Sequence, residues 1–140
     1  MKMTKYYLLA VALLLSTLSL AQGQGSNSQQ GDSFGIRRTI SFSKESKPET
    51  VVLDVSKKTN VFNINIDGRI SDGLLVVEIR NPKNVIQGEF KINTQLSADY
   101  EEDVMARINK QIKNPEAGEW KVLLKPTKAE GRVMIVTESN

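Results

Sequence analysis

The chain has 140 residues, of which 39% are hydrophobic and 25% are charged, and it contains neither cysteine nor histidine. Their absence excludes disulfide bonds, thiolate and imidazole metal ligands, and nucleophilic catalysis by Cys-His or Ser-His systems. The 19 basic and 16 acidic residues give a net charge of +3, a balance that raises the question of a nucleic-acid or membrane partner. The length predicts a single domain.

Residues 1–21 have the form of a secretory signal peptide. Lys2 and Lys5 precede an apolar stretch over residues 6–20, and the small residue Ala21 predicts cleavage before Gln22. A transmembrane anchor is the alternative, but this stretch is shorter than the roughly 20 apolar residues of a spanning helix. We therefore expect a secreted or periplasmic protein with no stable membrane insertion after cleavage.

Cleavage would also change the charge of the chain. Subtracting Lys2 and Lys5 from the 19 basic residues leaves 17 against 16 acidic residues. The expected mature protein is nearly neutral, so its charge does not indicate a nucleic-acid partner. The basic excess belongs mainly to the export segment.

Residues 22–35 are rich in Gln, Gly and Ser, and Phe34 is their single large apolar residue. Such a segment cannot bury enough surface to offset its conformational entropy, which predicts a flexible linker. An interaction tail is the alternative. The predicted organisation is therefore a signal peptide over 1–21, a linker over 22–35 and a folded domain over 36–140.

The folded part alternates apolar and polar residues with the period of β-strands. Turn residues, mainly Gly, Pro, Asn and Asp, separate these segments at 57–60, 67–68, 72–73, 81–84, 114–118 and 126–131. Seven or eight short strands predict an antiparallel β-sandwich of the all-β class, jelly-roll-like in arrangement. The alternating segments are residues 36–42, 51–55, 62–66, 75–79, 88–92, 120–124 and 133–135.

One stretch departs from this rhythm. Between residues 99 and 112 the apolar positions 100, 104, 105, 108 and 112 have helical spacing, with acidic residues early and basic residues late. This pattern predicts a short amphipathic helix that covers one edge or end of the sandwich. A strand after a long loop is the alternative, because Val104, Ala106 and Ile108 also alternate.

Two acidic groups could in principle hold a cation. The first comprises Asp99, Glu101, Glu102 and Asp103, but it lacks the ordered spacing and glycine of a calcium loop, and acids also suit the first turn of a helix. The second comprises Asp67 and Asp72, which both precede glycine and are better interpreted as turn residues. We therefore predict no metal ligand and no cofactor.

The sequence marks no catalytic residue. No pair of its scattered carboxylates stands out as a hydrolytic acid and base, and no serine has the G-x-S-x-G setting. Lys121, Lys125 and Lys128 predict a basic outward strand face, of the kind that protects sheet edges from aggregation. Trp120 could stack on a sugar if exposed, but it shares the phase of Val122, which favours a place in the core.

Two segments carry a family resemblance. Residues 114–124 with 130–133, and residues 72–82, are similar to strands of the jelly-roll modules appended to secreted proteases, namely bacterial pre-peptidase C-terminal domains and the P domains of proprotein convertases. The resemblance covers about residues 50–137. It implies a galactose-binding-like or jelly-roll sandwich with an accessory role, in which Gly118 permits a turn, Trp120 fills the core and Gly131 opens the final strand.

These observations favour an exported, non-catalytic binding or interaction module of the cell envelope or extracellular space, with a protein or glycan ligand. A structural protein that assembles through an edge strand is the alternative, and a small hydrolase that uses Asp or Glu is a third possibility. Ligands of such folds commonly bind in end loops or on a sheet face. The loops predicted at 67–73, 81–84 and 126–131 are the candidate sites.

Overall fold

The structure, a computed structural model, describes residues 34–96 and 103–140. Within these ranges the chain is all-β and antiparallel, as the alternation predicts. A single 3-10 turn, Thr94–Leu96, follows the fourth strand. The strands are β1 (Phe34–Glu45), β2 (Glu49–Val55), β3 (Val61–Arg80), β4 (Ile86–Asn93), β5 (Val104–Lys113) and β6 (Gly118–Ser139).

The two longest strands, β3 and β6, pair with each other along most of their length and form the centre of the fold. In its first half, from Val61, β3 pairs with β5 on one side and with the last part of β6 on the other, and that part of β6 also pairs with β1. These four segments, in the order β5-β3-β6-β1, form what we call the front sheet. Toward Arg80 the neighbours become β4 and β2, which gives the back sheet, in the order β4-β3-β6-β2. The six strands of the described ranges thus supply eight strand segments in two four-stranded sheets.

A bend shared by β3 and β6 divides the front sheet from the back sheet. The pairing of the two strands shifts register on both sides of Asp72. Gly73 and Gly131 lie at this bend with φ of +88° and +147°. A Cβ atom on Gly131 would lie 2.2 Å from the main-chain oxygen of Arg69, so only glycine fits there without a shift of the backbone.

The core lies between the two sheets and follows the period-two alternation. Its apolar residues are nearly inaccessible to solvent, and the rings of Phe62 in the front sheet and Trp120 in the back sheet meet edge to face at 5.6 Å between centroids. Because each strand buries every second residue, burial of this set fixes the register. The core comprises Ile40, Phe42, Val51, Leu53, Val55, Phe62, Ile64, Ile66, Ile70, Leu75, Val77, Ile79, Ile92, Trp120, Val122, Leu124, Ala129, Val133 and Ile135.

The helix predicted near residues 99–112 is wrong over residues 104–112, which belong to β5, while residues 99–102 lie outside the described part of the chain. Val104, Ala106, Ile108 and Ile112 alternate with exposed neighbours and pack against the core. Pairing with β3 over ten residues satisfies the backbone groups on the side of this segment that faces β3. Both periodicities fit the sequence, and the open edge of β3 decides in favour of the strand.

The turns predicted at 67–68, 72–73 and 126–131 are not chain reversals. Residues 67–73 lie within β3 and residues 126–131 within β6, where they pair across the bend. The glycines and the left-handed Lys128 (φ +47°) accommodate bulges in continuous strands. Gly131 therefore sits inside β6 and does not open a separate strand. Residues 81–84 do form a turn, between β3 and β4.

No helix in the described ranges is long and apolar enough to cross a membrane. The predicted signal peptide and almost all of the predicted linker lie outside those ranges. β1 begins at Phe34, two residues before the predicted start of the domain.

The bend gives a test of the fold. Gly131→Ala should lower the free energy of unfolding by at least about 1–3 kcal/mol, because the new Cβ meets the Arg69 carbonyl at a positive φ. Gly88→Ala is the matched control, since the atoms nearest to a Cβ there belong to Ile79 and Ile108, at 3.7 Å or more. Urea unfolding of the two variants measures the difference, and equal stabilities would contradict a bend at Gly131.

Candidate functional site

The outer surface of the front sheet, which we call the front face, carries a depression of about 630 Å³. It is open to solvent and lies over the central strands β3 and β6, with β5 on one side and β1 on the other. Its lining residues include three arginines and two methionines. The lining residues are Thr39, Asp67, Gly68, Arg69, Met105, Ala106, Arg107, Arg132 and Met134.

Strand register explains why these side chains meet. Residues directly opposite one another on antiparallel strands project on the same side of the sheet. One cross-strand row of the front face, from β5 to β1, is Met105, Arg69, Arg132 and Ser41, and the next is Arg107, Asp67, Met134 and Thr39. Two polar rows continue the face with Asn109, Asn65, Val136 and Arg37, then Gln111, Asn63, Glu138 and Gly35.

One arginine of the depression is neutralised within the fold. Nε of Arg107 donates a hydrogen bond to Oδ1 of Asp67, its direct cross-strand partner. The Arg107 side chain is 69% exposed and that of Asp67 is 27% exposed. The carboxylate among the lining residues, that of Asp67, is therefore paired with Arg107 and not with Arg69 or Arg132.

Arg69 is only weakly satisfied. Its Nη2 donates to the thioether sulfur of Met105 at 3.1 Å, and its Nε lies 3.9 Å from Oδ2 of Asp103. A thioether is a poor acceptor, and 3.9 Å is beyond hydrogen-bond range. The Asp103 carboxylate therefore reduces the local charge without filling the donors of Arg69.

Arg132 lies directly opposite Arg69 on β6, so two arginines occupy opposed positions on the central strands, in the row beside the bend. Within residues 34–96 and 103–140, no carboxylate oxygen lies within 4.0 Å of the Arg132 guanidinium. Directly opposed like charges destabilise a sheet. The front face thus holds a cationic centre that the described residues do not neutralise.

On the outer surface of the back sheet, by contrast, a buried charge is paired with opposite charges. Glu78 is buried there and accepts hydrogen bonds from Arg80 Nη2 at 2.7 Å and Lys125 Nζ at 2.5 Å. These bonds, first to Lys125 and then to Arg80, hold the pKa of the Glu78 carboxyl below its ordinary value, although burial opposes the shift. Glu78 also faces Glu89 on β4, and its two cations compensate that like-charged pair.

The predicted loop sites are only partly brought together. Of residues 67–73, Asp67 and Arg69 line the depression, whereas Asp72 and Gly73 belong to the bend. Residues 126–131 lie beside the depression and contribute no lining side chain. Residues 81–84 form the β3–β4 turn at the end of the back sheet and do not line the depression.

That turn has a structural role. Asn81 Nδ2 donates to Glu116 Oε2 at 3.0 Å, and the main-chain oxygen of Glu116 accepts from Trp120 Nε1 at 2.8 Å. The Glu116 carboxylate also lies 2.5 Å from Lys83 Nζ and raises the pKa of that lysine. These bonds join the β3–β4 turn to the segment before β6, whose Gly118 has a φ of +126°.

Trp120 is 2% exposed, so its predicted place in the core is confirmed. The prediction that Lys121, Lys125 and Lys128 protect an edge is wrong, because β6 is a central strand with partners on both sides. Lys125 instead pairs with Glu78, and Lys128 occupies the bend.

Most of the acidic group at 99–103 lies outside the described residues. Its one described member, Asp103, lies near Arg69. The described ranges contain no group of three or more acidic side chains that could hold a metal ion. Asp67 and Asp72 occupy different environments, since Asp67 pairs with Arg107 while Asp72 Oδ1 accepts from the main-chain nitrogen of Gly73 at 2.9 Å.

Sequence reasoning missed the three arginines of the depression. Arg69 and Arg132 lay in or beside segments predicted as turns, and Arg107 lay in the predicted helix. The usable signal was their phase: each arginine occupies a position between core residues of an alternating strand. Extending that alternation through the glycines would have placed all three on one face.

No protein-family model matches the chain, and no curated protein sequence matches it. The solved structures to which the chain is similar include latent PorU from Porphyromonas gingivalis (9% identity, TM-score 0.43). The match covers 78% of this chain and 13% of the PorU chain. Another is a protein of the disulfide-linked pili of Bacillus endospore appendages (7% identity, TM-score 0.43, 77% of this chain and 88% of that chain). A third is the carbohydrate-binding module from Cellvibrio mixtus lichenase 5A, solved with cellotriose (11% identity, TM-score 0.37, 81% and 89%).

The Glu78 network predicts a pH dependence of stability. A depressed pKa in the folded state contributes stability that is present above the unfolded value near 4.5 and is lost as pH falls through the folded value. Glu78→Gln should therefore lower the free energy of unfolding by about 1–3 kcal/mol at pH 7 and by much less near pH 3.

Glu89→Gln is the matched control, because Glu89 is exposed on the same surface opposite Glu78. Its removal should leave the stability unchanged or slightly higher at pH 7. Urea unfolding at both pH values measures the effects. A Glu78→Gln variant whose deficit is the same at pH 3 as at pH 7 would contradict the ion-pair account.

Proposed function

We propose that this protein is an exported, non-catalytic β-sandwich module of the cell envelope or extracellular space, which binds its ligand on the front face. The observation that carries the proposal is the depression over β3 and β6, with three arginines in its lining and polar rows beyond it. Depressions of this kind, with a few convergent polar groups, are the usual form of a binding site.

The position of the depression supports a binding role. β3 and β6 pair on both sides where they underlie it, so the side chains stand on a backbone held by two sets of ladder hydrogen bonds. Side chains on central strands are positioned more rigidly than those on loops. The backbone of the site is therefore preorganised, and binding need not order it.

Binding without catalysis is supported by the chemistry of the chain. The sequence offers no histidine or cysteine as nucleophile or proton carrier. In the depression, the Asp67 carboxylate accepts a hydrogen bond from Arg107.

Export and an accessory role are supported by the sequence. Residues 1–21 have the pattern of a signal peptide. Residues 114–124 resemble the last strands of the jelly-roll modules of secreted proteases. The positive φ of Gly118 is compatible with the turn, and the burial of Trp120 with the core position, that the resemblance implies for these residues.

Assembly through an edge strand is the second candidate function. Over its 12 residues β1 pairs only with β6 among the described strands, which leaves its other edge open. Such an edge can accept a strand from a partner. The exposed Arg37, Arg38 and Lys44 along β1 are residues that commonly discourage this pairing, so binding on the front face is favoured.

A matched pair of substitutions tests the proposal. Thr39→Trp fills the depression from β1, and Thr50→Trp places the same ring on the outer surface of the back sheet from β2. Both threonines are exposed on edge strands, and both strands tolerate an aromatic residue. On a glycan array and in pull-downs from the native cell envelope, Thr39→Trp should abolish binding and Thr50→Trp should leave it unchanged.

Retention of binding by Thr39→Trp would contradict the front face as the binding surface. If binding were instead lost when the free edge of β1 is blocked by proline substitutions, assembly through that edge would replace the proposal.

A further inference from the structure

Two arginines, Arg69 and Arg132, occupy directly opposed positions on the central strands of the front face, and neither has a strong acceptor among the described residues. Arg69 donates to the Met105 thioether at 3.1 Å, and its nearest carboxylate oxygen is 3.9 Å away. Arg132, directly opposite, has no carboxylate partner in the described ranges. An arginine carries five N–H donors, so this pair presents a large surplus of donors to a bound molecule.

This surplus is costly to the free protein, since like charges on directly opposed residues repel. The back sheet shows how the fold compensates such a pair, because Arg80 and Lys125 cover Glu78 opposite Glu89. The Arg69–Arg132 pair receives no comparable compensation from the described residues. An anionic group bound between the two guanidinium groups would remove the repulsion and fill their donors.

The surroundings narrow the chemistry of that anion. A guanidinium fork matches the two oxygens of a carboxylate in bidentate geometry. On β3 and β5 the adjoining rows carry Asn63, Asn65, Asn109 and Gln111, whose amide groups suit hydroxyls, and Gln111 Nε2 donates to Asn63 Oδ1 at 3.2 Å. The same rows continue with Glu138 on β6 and Arg37 on β1. The underlying main chain is already paired on both sides, so a peptide could not add here as a strand. A ligand with both carboxylates and hydroxyls fits best.

We propose that the front face binds a polysaccharide that contains uronic acids, with one sugar carboxylate held between Arg69 and Arg132. This inference rests on the proposed function and adds the chemical class of the ligand. The neighbouring hydroxyls of the sugar chain lie along the amide rows, and the Met105 and Met134 side chains contact its apolar surface.

The experiment compares polygalacturonate with its fully methyl-esterified form, which keeps the sugar backbone and removes the charge. Isothermal titration calorimetry on the purified protein, at about 0.15 M salt to screen remote charges, should show affinity for polygalacturonate that is at least about tenfold higher than for the ester. Dextran sulfate and poly-glutamate are included as a sulfated glycan and an acidic peptide.

Arg132→Gln and Arg69→Gln should each weaken binding of polygalacturonate by about tenfold or more. Arg38→Gln is the matched control, because Arg38 is exposed on β1 on the opposite side of the strand from Thr39. It should change affinity by less than about twofold. Melting temperatures complete the test, since removing one of two opposed like charges should leave stability equal or higher.

The outcomes separate this inference from the proposed function. Equal affinity for the acid and the ester, with loss in Thr39→Trp, would overturn the uronate inference and keep the front face as the binding site. Preference for dextran sulfate or poly-glutamate would overturn it in the same way. If all three arginine variants weakened polygalacturonate binding equally, the attraction would be nonspecific and the uronate inference would be overturned. If Thr39→Trp left binding unchanged, the proposed function itself would be overturned.

Discussion

The shared bend of β3 and β6 is the constraint on which the rest of the structure depends. Each strand takes part in both sheets, so the register shifts around Asp72 convert one pleated ribbon into two facing layers. The close approach of Gly131 to the Arg69 carbonyl holds that geometry. Since burial of alternate residues fixes the register on each side of the bend, the same pairing also decides which residues remain outside.

The candidate site lies directly beside this bend. Ile70 pairs with Gly131 in the bend, and the next pair along the ladder is Arg69 with Arg132. The tight backbone contact therefore fixes Arg69 and Arg132 at opposed positions on the two strands, while burial of the core beneath them offsets the cost of placing like charges there. A surface that is unfavourable for the free protein is maintained by packing elsewhere, as is common where structure serves recognition.

The sequence predicted the layers better than the connections. Alternation over residues 62–66 and 120–124 marks buried faces correctly, Trp120 included. Glycine and aspartate at 67–73 satisfy the chemistry of a hairpin turn and of a strand bulge equally well, and only long-range pairing distinguishes them. Residues 104–112 fit two periodicities, and the open edge of β3 selects the strand. Strand phase gives the outward positions of Arg69 and Arg132, but their direct opposition could not be predicted, because it depends on the register between strands far apart in the chain.

The central claim is that the front face is the ligand-binding surface, and nuclear magnetic resonance can map it directly. In a titration of isotope-labelled protein with short galacturonate oligomers, the backbone amide shifts should change at Thr39, Arg69, Arg132 and Met134. The amides of Thr50, Lys91 and Lys121, on the outer surface of the back sheet, should not move. Changes confined to the back sheet or to the β3–β4 turn would contradict the account.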